Sequence, residues 1–111
     1  MLTLAEARAM IDAAVAEAER IGARMNIAVA DAGGNLIAHV RMDGAFFGSV
    51  AVSIDKAWTS AAFQMPSGDL GNITKPGDPA WGLAQSNGGR VMVFPGGLPV
   101  IRDGALVGAI G

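Results

Sequence analysis

The chain has 111 residues, of which 51% are hydrophobic and 16% charged, and its formal net charge at pH 7 is −2. This length fits one domain, residues 1–111, and the scattered Lys and Arg residues argue against a nucleic-acid partner. The absence of cysteine excludes disulfides, zinc–thiolate sites, iron–sulfur clusters and cysteine nucleophiles. No apolar run approaches the roughly 20 residues of a membrane-spanning helix, and the N-terminus lacks a signal-peptide pattern, which predicts a cytoplasmic protein without a membrane partner. The apolar surplus predicts a homo-oligomer.

The first two predicted elements are a helix and a β-hairpin. Thr3-Leu4-Ala5-Glu6 matches a capping box, and apolar residues at helical spacing continue from there to Ile21. Two segments rich in apolar residues, Asn26–Ala30 and Leu36–Met42, then flank a turn rich in Gly, Asn and Asp. This pattern predicts two antiparallel strands joined by a short turn.

The segment Phe47–Phe63 is the most regular helical pattern in the sequence. Its apolar positions are Phe47, Val50, Ala51, Ile54, Ala57, Trp58 and Ala61. The opposite side is small and weakly polar, so we expect a loop or another subunit to cover it. The following segment, Met65–Arg90, is rich in Gly and Pro, and its apolar residues, Trp81 among them, predict a packed flap. Short helical turns are expected around Asp69–Ile73 and Ala80–Ser86.

The last part of the chain predicts a three-stranded β-meander. Apolar segments Val91–Phe94, Leu98–Ile101 and Ala105–Ile110 are separated by Pro95-Gly96-Gly97 and by Asp103-Gly104. With the earlier hairpin, this gives five strands and no helical crossover between parallel neighbours. The order of elements therefore predicts an α+β fold with an antiparallel sheet and helices on its faces.

Several short motifs in this order resemble one known family. The matching stretches are Val29–Leu36, His39–Ala45, Asp55–Ala57, Pro76-Gly77, Trp81-Gly82, Gly96–Val100, Gly104 and Val107–Gly111. Together they are similar to the GlcG/HbpS family, the haem-binding or haem-degrading domain that also forms the C-terminal part of PduO-type proteins. Each motif is mostly Gly and apolar residues, so the specificity of the resemblance lies in their shared order along the whole chain.

The resemblance implies a profilin-like α-β-α domain with a five-stranded antiparallel sheet, assembled into homo-oligomers. It also implies binding of haem or a related tetrapyrrole, with a possible role in haem or iron handling for some members. Members of the family continue past the position of Gly111 with a final helix that this sequence does not contain. We therefore expect either a longer natural chain or a neighbouring subunit to cover the last strand.

Within this family, three side chains are candidates for the chemistry of a haem site. His39 is the only histidine and is the candidate axial ligand of the iron. Its alternative is an ordinary strand residue, exposed or hydrogen-bonded. Arg41, on the same predicted strand face, and Lys56 are candidates for pairing with the haem propionates. Their alternative is an internal network of Arg41 with Asp43 and of Lys56 with Asp55 or a neighbouring acid.

The turn at Phe94, Gly96 and Gly97 is a candidate ligand-binding lip, because glycine amides and an aromatic wall can contact a flat ligand or an anion. Its alternative is a turn that needs glycine only for its backbone conformation. Trp81 is a further candidate for stacking on a ligand, whereas Trp58 lies in a regular apolar stripe and is predicted to be core. No nucleophile motif, P-loop, dinucleotide fingerprint or metal-ligand spacing is present.

These observations lead to three hypotheses. The first is an oligomeric haem- or tetrapyrrole-binding protein. The second is a small metabolic enzyme or accessory subunit that binds an organic acid through Arg41, Lys56 and the flap. The third is a structural assembly module that uses the outer face of the Phe47–Phe63 helix. The sequence leaves open whether the protein is an enzyme.

Overall fold

The computed structural model describes all residues, 1–111, and has the predicted α+β composition. Its elements are, in chain order, α1 (Leu4–Ile21), β1 (Asn26–Asp31), β2 (Leu36–Arg41), α2 (Gly48–Phe63), α3 (Ser67–Gly71), two 3₁₀ turns (Leu83–Gln85 and Asn87–Gly89), β3 (Leu98–Arg102) and β4 (Ala105–Ile110). No helix is long and apolar enough to span a membrane.

The four strands form one antiparallel sheet in the order β2-β1-β4-β3. The predicted hairpin of β1 and β2 is confirmed, and its turn is closed by Asp31, whose Oδ1 accepts hydrogen bonds from the backbone N–H groups of Gly33 and Asn35, both at 2.9 Å. An aspartate side chain of this kind mimics a backbone turn. The sheet thus consists of two hairpins, β1–β2 and β3–β4, which are joined by the pairing of the central strands β1 and β4.

Helix α1 covers one face of the sheet. The predicted capping box is present, because the Glu6 N–H donates to Thr3 Oγ1 at 3.1 Å and the Thr3 N–H donates to Glu6 Oε1 at 3.0 Å. The buried helix residue Ile11 packs with Ile27 and Val29 of β1. This cluster is the largest group of buried apolar side chains and joins α1 to the sheet.

Helix α2 covers the other face, but its burial differs from the predicted apolar stripe. Ala57 packs against Ala28 of β1, and the weakly polar residues Thr59 and Ser60 are 0% exposed. In contrast, Phe47, which was predicted to be part of the stripe, is 83% exposed, so this part of the prediction is wrong. The small side chains of α2 allow another segment to lie directly on the helix, and this covering segment is the one that was predicted as a fifth strand.

The predicted strand Val91–Phe94 is not formed, which is the main correction to the sequence-based fold. Its backbone groups bond to helix side chains instead of to a neighbouring strand. The Met92 N–H donates to Thr59 Oγ1 at 3.0 Å, and Ser67 Oγ donates to the Phe94 carbonyl at 2.7 Å. Since these hydroxyls supply the partners that a sheet edge would supply, the segment lies on α2 and α3, and the sheet has four strands.

The long flap between α2 and β3 contains the short helical turns that were expected. Helix α3 overlaps the turn predicted around Asp69–Ile73, and a 3₁₀ turn at Leu83–Gln85 lies inside the turn predicted at Ala80–Ser86. The flap is tied to α2 by Arg90, whose Nε donates to Asp55 Oδ1 at 3.0 Å. Burial within the flap is uneven: Leu70 is 2% exposed, whereas Trp81, which was expected to pack, is 63% exposed.

Candidate functional site

A groove of about 720 Å³ lies at one end of the sheet, where β1 and β3 begin and β4 ends. The last two turns of α1 and the first half of α2 form its sides. More than half of its lining residues are apolar; those used below are Met25, Phe46, Val52, Phe94, Leu98 and Ile110. A volume in this range is typical of pockets that bind small molecules, about 300–1,000 Å³.

Lys56 supplies a positive charge in this apolar groove. It belongs to α2, and its Nζ lies 4.0 Å from the centroid of the Phe94 ring. None of the three ion pairs of the structure involves Lys56. The neighbouring carboxylate, Asp55, pairs with Arg90 instead. Burial lowers the pKa of the Lys56 amine, since removal of water penalises the charged form. The lysine is therefore free to interact with a ligand.

The turn that follows Phe94 brings its own backbone close to Lys56. This approach is possible because the turn contains two glycines, Gly96 and Gly97, which have no Cβ. Gly96 has φ 132°, and a Cβ at this position would lie 2.8 Å from Lys56 Nζ. A Cβ at Gly97 would lie 2.6 Å from the Lys56 carbonyl oxygen. The Gly97 N–H donates to Ser67 Oγ at 2.8 Å. Phe94 and Gly96 line the groove, whereas Gly97 does not, and the role of this turn as a ligand-binding lip stays a prediction.

A second polar feature of the groove is Asn26, the first residue of β1. Its Nδ2 donates to the Phe46 carbonyl at 2.9 Å, whereas its Oδ1 is buried and accepts no hydrogen bond. A buried acceptor without a donor costs free energy. Asn26 Oδ1 is therefore an unpaired acceptor in a residue of the groove lining.

His39 lies outside this groove. It is opposite Ala28 in the β1–β2 register and shares the α2 side of the sheet with that residue. Ala28 also exchanges two hydrogen bonds of 2.8 Å with Gly111, which lines the groove together with Lys56, so His39 and this side of the groove are two strand spacings apart, roughly 10 Å. The His39 Nε2 is buried without a partner, and burial lowers the pKa of the imidazole.

The structure separates the other two candidates from the groove as well. Arg41 is exposed at the end of β2, where it borders a smaller depression with Val40, Asp43 and part of α1. Trp81 is exposed in the flap and does not line the groove. Neither the Arg41–Asp43 nor the Lys56–Asp55 pair proposed as an alternative is formed. Arg41 and Lys56 therefore line two different pockets.

Several groove residues were not identified from the sequence. Arg24 and Met25 follow α1, and Phe46 precedes α2. Their only sequence signal is the adjacent aromatic pair at Phe46 and Phe47. Their proximity depends on where α1 ends and α2 begins on opposite faces of the sheet, which the sequence pattern does not show. The structure contains no group of three or more His, Asp or Glu side chains that could hold a metal ion.

Three curated relatives resemble the chain along most of its length. An uncharacterized 15.0 kDa protein from the dhaT-dhaS intergenic region of Citrobacter freundii is 37% identical over 110 residues, which are 99% of this chain and 78% of the relative. GlcG of Escherichia coli K12 is 33% identical over 105 residues, 95% of this chain and 75% of the relative. Corrinoid adenosyltransferase PduO of Salmonella typhimurium is 32% identical over 99 residues, which cover 89% of this chain but only 30% of that protein.

Solved structures and a family model agree with these relatives. The ORFY protein of Klebsiella pneumoniae superposes with a TM-score of 0.97 at 35% identity, over 99% of this chain and 76% of the other. A PduOC–haem complex superposes with a TM-score of 0.95 at 30% identity, over 99% of this chain and 80% of the other. The model of the haem-degrading protein HbpS-like family matches residues 2–111. The resemblance found in the sequence is thus confirmed, and the chain belongs to the GlcG/HbpS family.

Proposed function

We propose that this protein binds haem or a related tetrapyrrole in the groove between the ends of α1 and α2. The observation that carries the proposal is an apolar groove of about 720 Å³ whose lysine has no acidic partner. The family match and the haem complex of PduOC, which has the same fold, support this choice of ligand. Bound haem would supply a redox-active iron.

The residues of the groove suit the two kinds of surface on a tetrapyrrole. Val52, Leu98 and Ile110 are apolar and can pack on the faces of the ring. Lys56 and Arg24 line the same groove, take part in no ion pair, and can bind the carboxylate side chains. The donor set supports carboxylate anchoring more directly than it supports ligation of the iron by His39.

Two residues remain candidate ligands of the iron. The Met25 thioether lines the groove, while His39 offers a buried, unpartnered Nε2 on another part of the same sheet face. Ligation by His39 requires a ligand position about two strands away from Lys56, so the two choices place haem differently. The variants Met25→Leu and His39→Ala distinguish them, because only the true ligand changes the Soret position when it is removed.

Titration of the purified protein with hemin tests the proposal. We expect a Soret shift that saturates at one hemin per groove, and a weakening of roughly 5–30-fold in Lys56→Gln, as expected for loss of one charge-assisted hydrogen bond of about 1–2 kcal/mol. Lys75→Gln is the matched control, because Lys75 is the only other lysine and is exposed in the flap. The absence of any Soret shift would refute the proposal.

The same lysine supports the alternative that the groove binds a small organic acid. Since Arg41 lies elsewhere, the anchor in this form of the hypothesis is Lys56 with Arg24. Calorimetry with small carboxylates, compared between wild type, Lys56→Gln and Lys75→Gln, tests it. Saturable binding that is lost only in Lys56→Gln favours this alternative when hemin produces no shift.

A homo-oligomer is proposed independently of the ligand. Phe46 and Phe47 are each 83% exposed, and Leu98 and Ile101 are more than half exposed on the outer strand β3. Adjacent exposed aromatic residues are typical of surfaces that another protein covers. Light scattering at micromolar concentration tests self-association, and Phe46→Ser with Phe47→Ser should shift the protein toward the monomer. A monomer in wild type contradicts the proposal.

A further inference from the structure

We propose that Lys56 is an amine nucleophile that captures small aldehydes from the groove as a reversible imine. This activity uses the same groove as the haem proposal but does not depend on it, because no tetrapyrrole takes part. The class of ligand is an aldehyde with a short hydrocarbon tail. The carbonyl carbon reacts with Nζ, and the tail occupies the apolar part of the groove.

The first argument is that no acidic group holds Lys56 in its charged form. The acidic residue next to it, Asp55, is bound to Arg90 Nε at 3.0 Å. Glu17, the acid on the groove lining, pairs with Arg20 on α1. A lysine that lacks a carboxylate partner loses a proton more readily than one in an ion pair.

The second argument concerns the state of the amine. Only the neutral amine attacks a carbonyl carbon, and burial lowers the pKa of Lys56, which increases the neutral fraction near pH 7. The Phe94 ring, 4.0 Å from Nζ, attracts the charged form but offers no proton acceptor. The surroundings of Lys56 therefore resemble those of reactive lysines more than those of structural ones.

The third argument is the shape of the groove beside Nζ. Gly96 has no side chain, and a Cβ there would lie 2.8 Å from Nζ and 3.1 Å from Lys56 Cδ. The missing side chain leaves room for the Lys56 side chain beside the turn, and the amine reaches the groove lining there. Apolar walls at Val52 and Ile110 suit a hydrocarbon tail, and Asn26 Oδ1 is a buried acceptor without a donor on the same lining.

The reaction is balanced without a further reagent. The lone pair of the neutral Nζ forms a bond to the carbonyl carbon, and the proton lost from nitrogen moves through water to the carbonyl oxygen, which gives a carbinolamine. The carbon–oxygen bond then breaks, and the oxygen leaves as water after accepting one proton from solvent. The product is a protonated imine on Lys56, and addition of water reverses each step.

The experiment treats the full protein with butyraldehyde and sodium cyanoborohydride at pH 7, and peptide mapping by mass spectrometry locates the reduced adduct. The chain contains only two lysines, so Lys75, exposed in the flap, is the internal reference. The N-terminal amine is counted separately because its ordinary pKa is already near 8. We expect the initial rate of labelling at Lys56 to exceed that at Lys75 several-fold, because burial in the groove leaves a larger share of the Lys56 amine neutral.

Two controls connect this selectivity to the folded groove. In guanidinium chloride both lysines should react at the same rate, and in Lys56→Arg the groove adduct should disappear while labelling of Lys75 continues. Circular dichroism of Lys56→Arg verifies its folding. Labelling that is equal at the two lysines in the native protein, or faster at Lys75, overturns the proposal. Hemin titration of the same sample is a separate readout, so failure of the haem proposal and failure of this one are distinguishable.

Discussion

Two buried serines give a direct test of what attaches the groove lip to the helices. Ser67 and Ser60 are both 0% exposed, but only Ser67 is hydrogen-bonded. Its Oγ donates to the Phe94 carbonyl at 2.7 Å and accepts from the Gly97 N–H at 2.8 Å. The Ser60 Oγ has no partner. The same substitution, serine to alanine, should therefore have opposite effects at the two positions.

The expected magnitudes follow from the partners that each change leaves behind. Ser67→Ala leaves the buried Gly97 N–H without an acceptor, which costs about 1–3 kcal/mol, and removes one further bond of about 1 kcal/mol at Phe94. We expect a total loss of about 2–4 kcal/mol. Ser60→Ala removes a buried hydroxyl that has no partner and improves helix propensity, so it should change the free energy of unfolding by about 0–1 kcal/mol in the stabilising direction.

The assay is equilibrium unfolding in urea, followed by tryptophan fluorescence at one fixed protein concentration, so that self-association contributes equally to all samples. Similar m-values for wild type and both variants would show that the midpoint difference reports the folded state. Equal destabilisation by Ser67→Ala and Ser60→Ala would refute the reasoning. That result would mean that the hydrogen bonds of Ser67 do not hold the lip.

Two further predictions concern a glycine and the histidine. Gly97→Ala should lower the free energy of unfolding by about 1–3 kcal/mol, because the new Cβ would lie 2.6 Å from the Lys56 carbonyl oxygen. Gly48→Ala is the control, since no atom lies within 4 Å of its new Cβ, and it should change the unfolding midpoint little. Burial places the pKa of His39 in the folded state below its ordinary value of 6.5, so below that pH the unfolded state binds more protons. The contribution of neutral His39 to the free energy of unfolding should therefore be complete above pH 6.5 and should be lost as the pH falls through the folded-state pKa. The variant His39→Gln should lack this part of the pH dependence.

The same urea assay decides both predictions. If Gly97→Ala and Gly48→Ala unfold at the same urea concentration, the turn has more room than the structure indicates. If wild type and His39→Gln lose stability in parallel between pH 7 and pH 5, His39 is not the group responsible. Carboxylates contribute mainly at lower pH and are common to both proteins, so the difference between the two curves isolates the histidine.

The sequence predicted those parts of the fold that depend on local interactions. The capping box at Thr3, the helix from Leu4 to Ile21 and the turn at Asp31 all depend on residues within four positions of one another. The segment Val91–Phe94 was predicted incorrectly because its β-forming residues carry no information about distant hydroxyls. Its partners, Thr59 and Ser67, lie about thirty positions away in the chain.

The same contrast between local and distant interactions applies to the candidate site. Lys56 and Gly96 were both identified as candidates, and their contact follows from the turn that lies on α2. His39 and Arg41 were also candidates, since strand alternation suggested that they share a face of the sheet. Alternation gives no information on the distance between that strand and the groove, and neither residue lines the groove. Arg24 and Met25 were missed, because helix ends carry no signal of what they approach in space.

The replacement of a fifth strand by a helix-bound segment has a consequence for ligand binding. A strand inside the sheet is held by a continuous ladder, whereas the Phe94 segment is held by single side chains such as Thr59 and Ser67. Few hydrogen bonds to distant side chains are typical of regions that open more readily than a sheet core. Because the Phe94 ring also lies 4.0 Å from Lys56 Nζ, we expect binding in the groove and attachment of the lip to be energetically coupled. Substitution of Thr59 or Ser67, neither of which lines the groove, should therefore change both hemin affinity and the reactivity of Lys56.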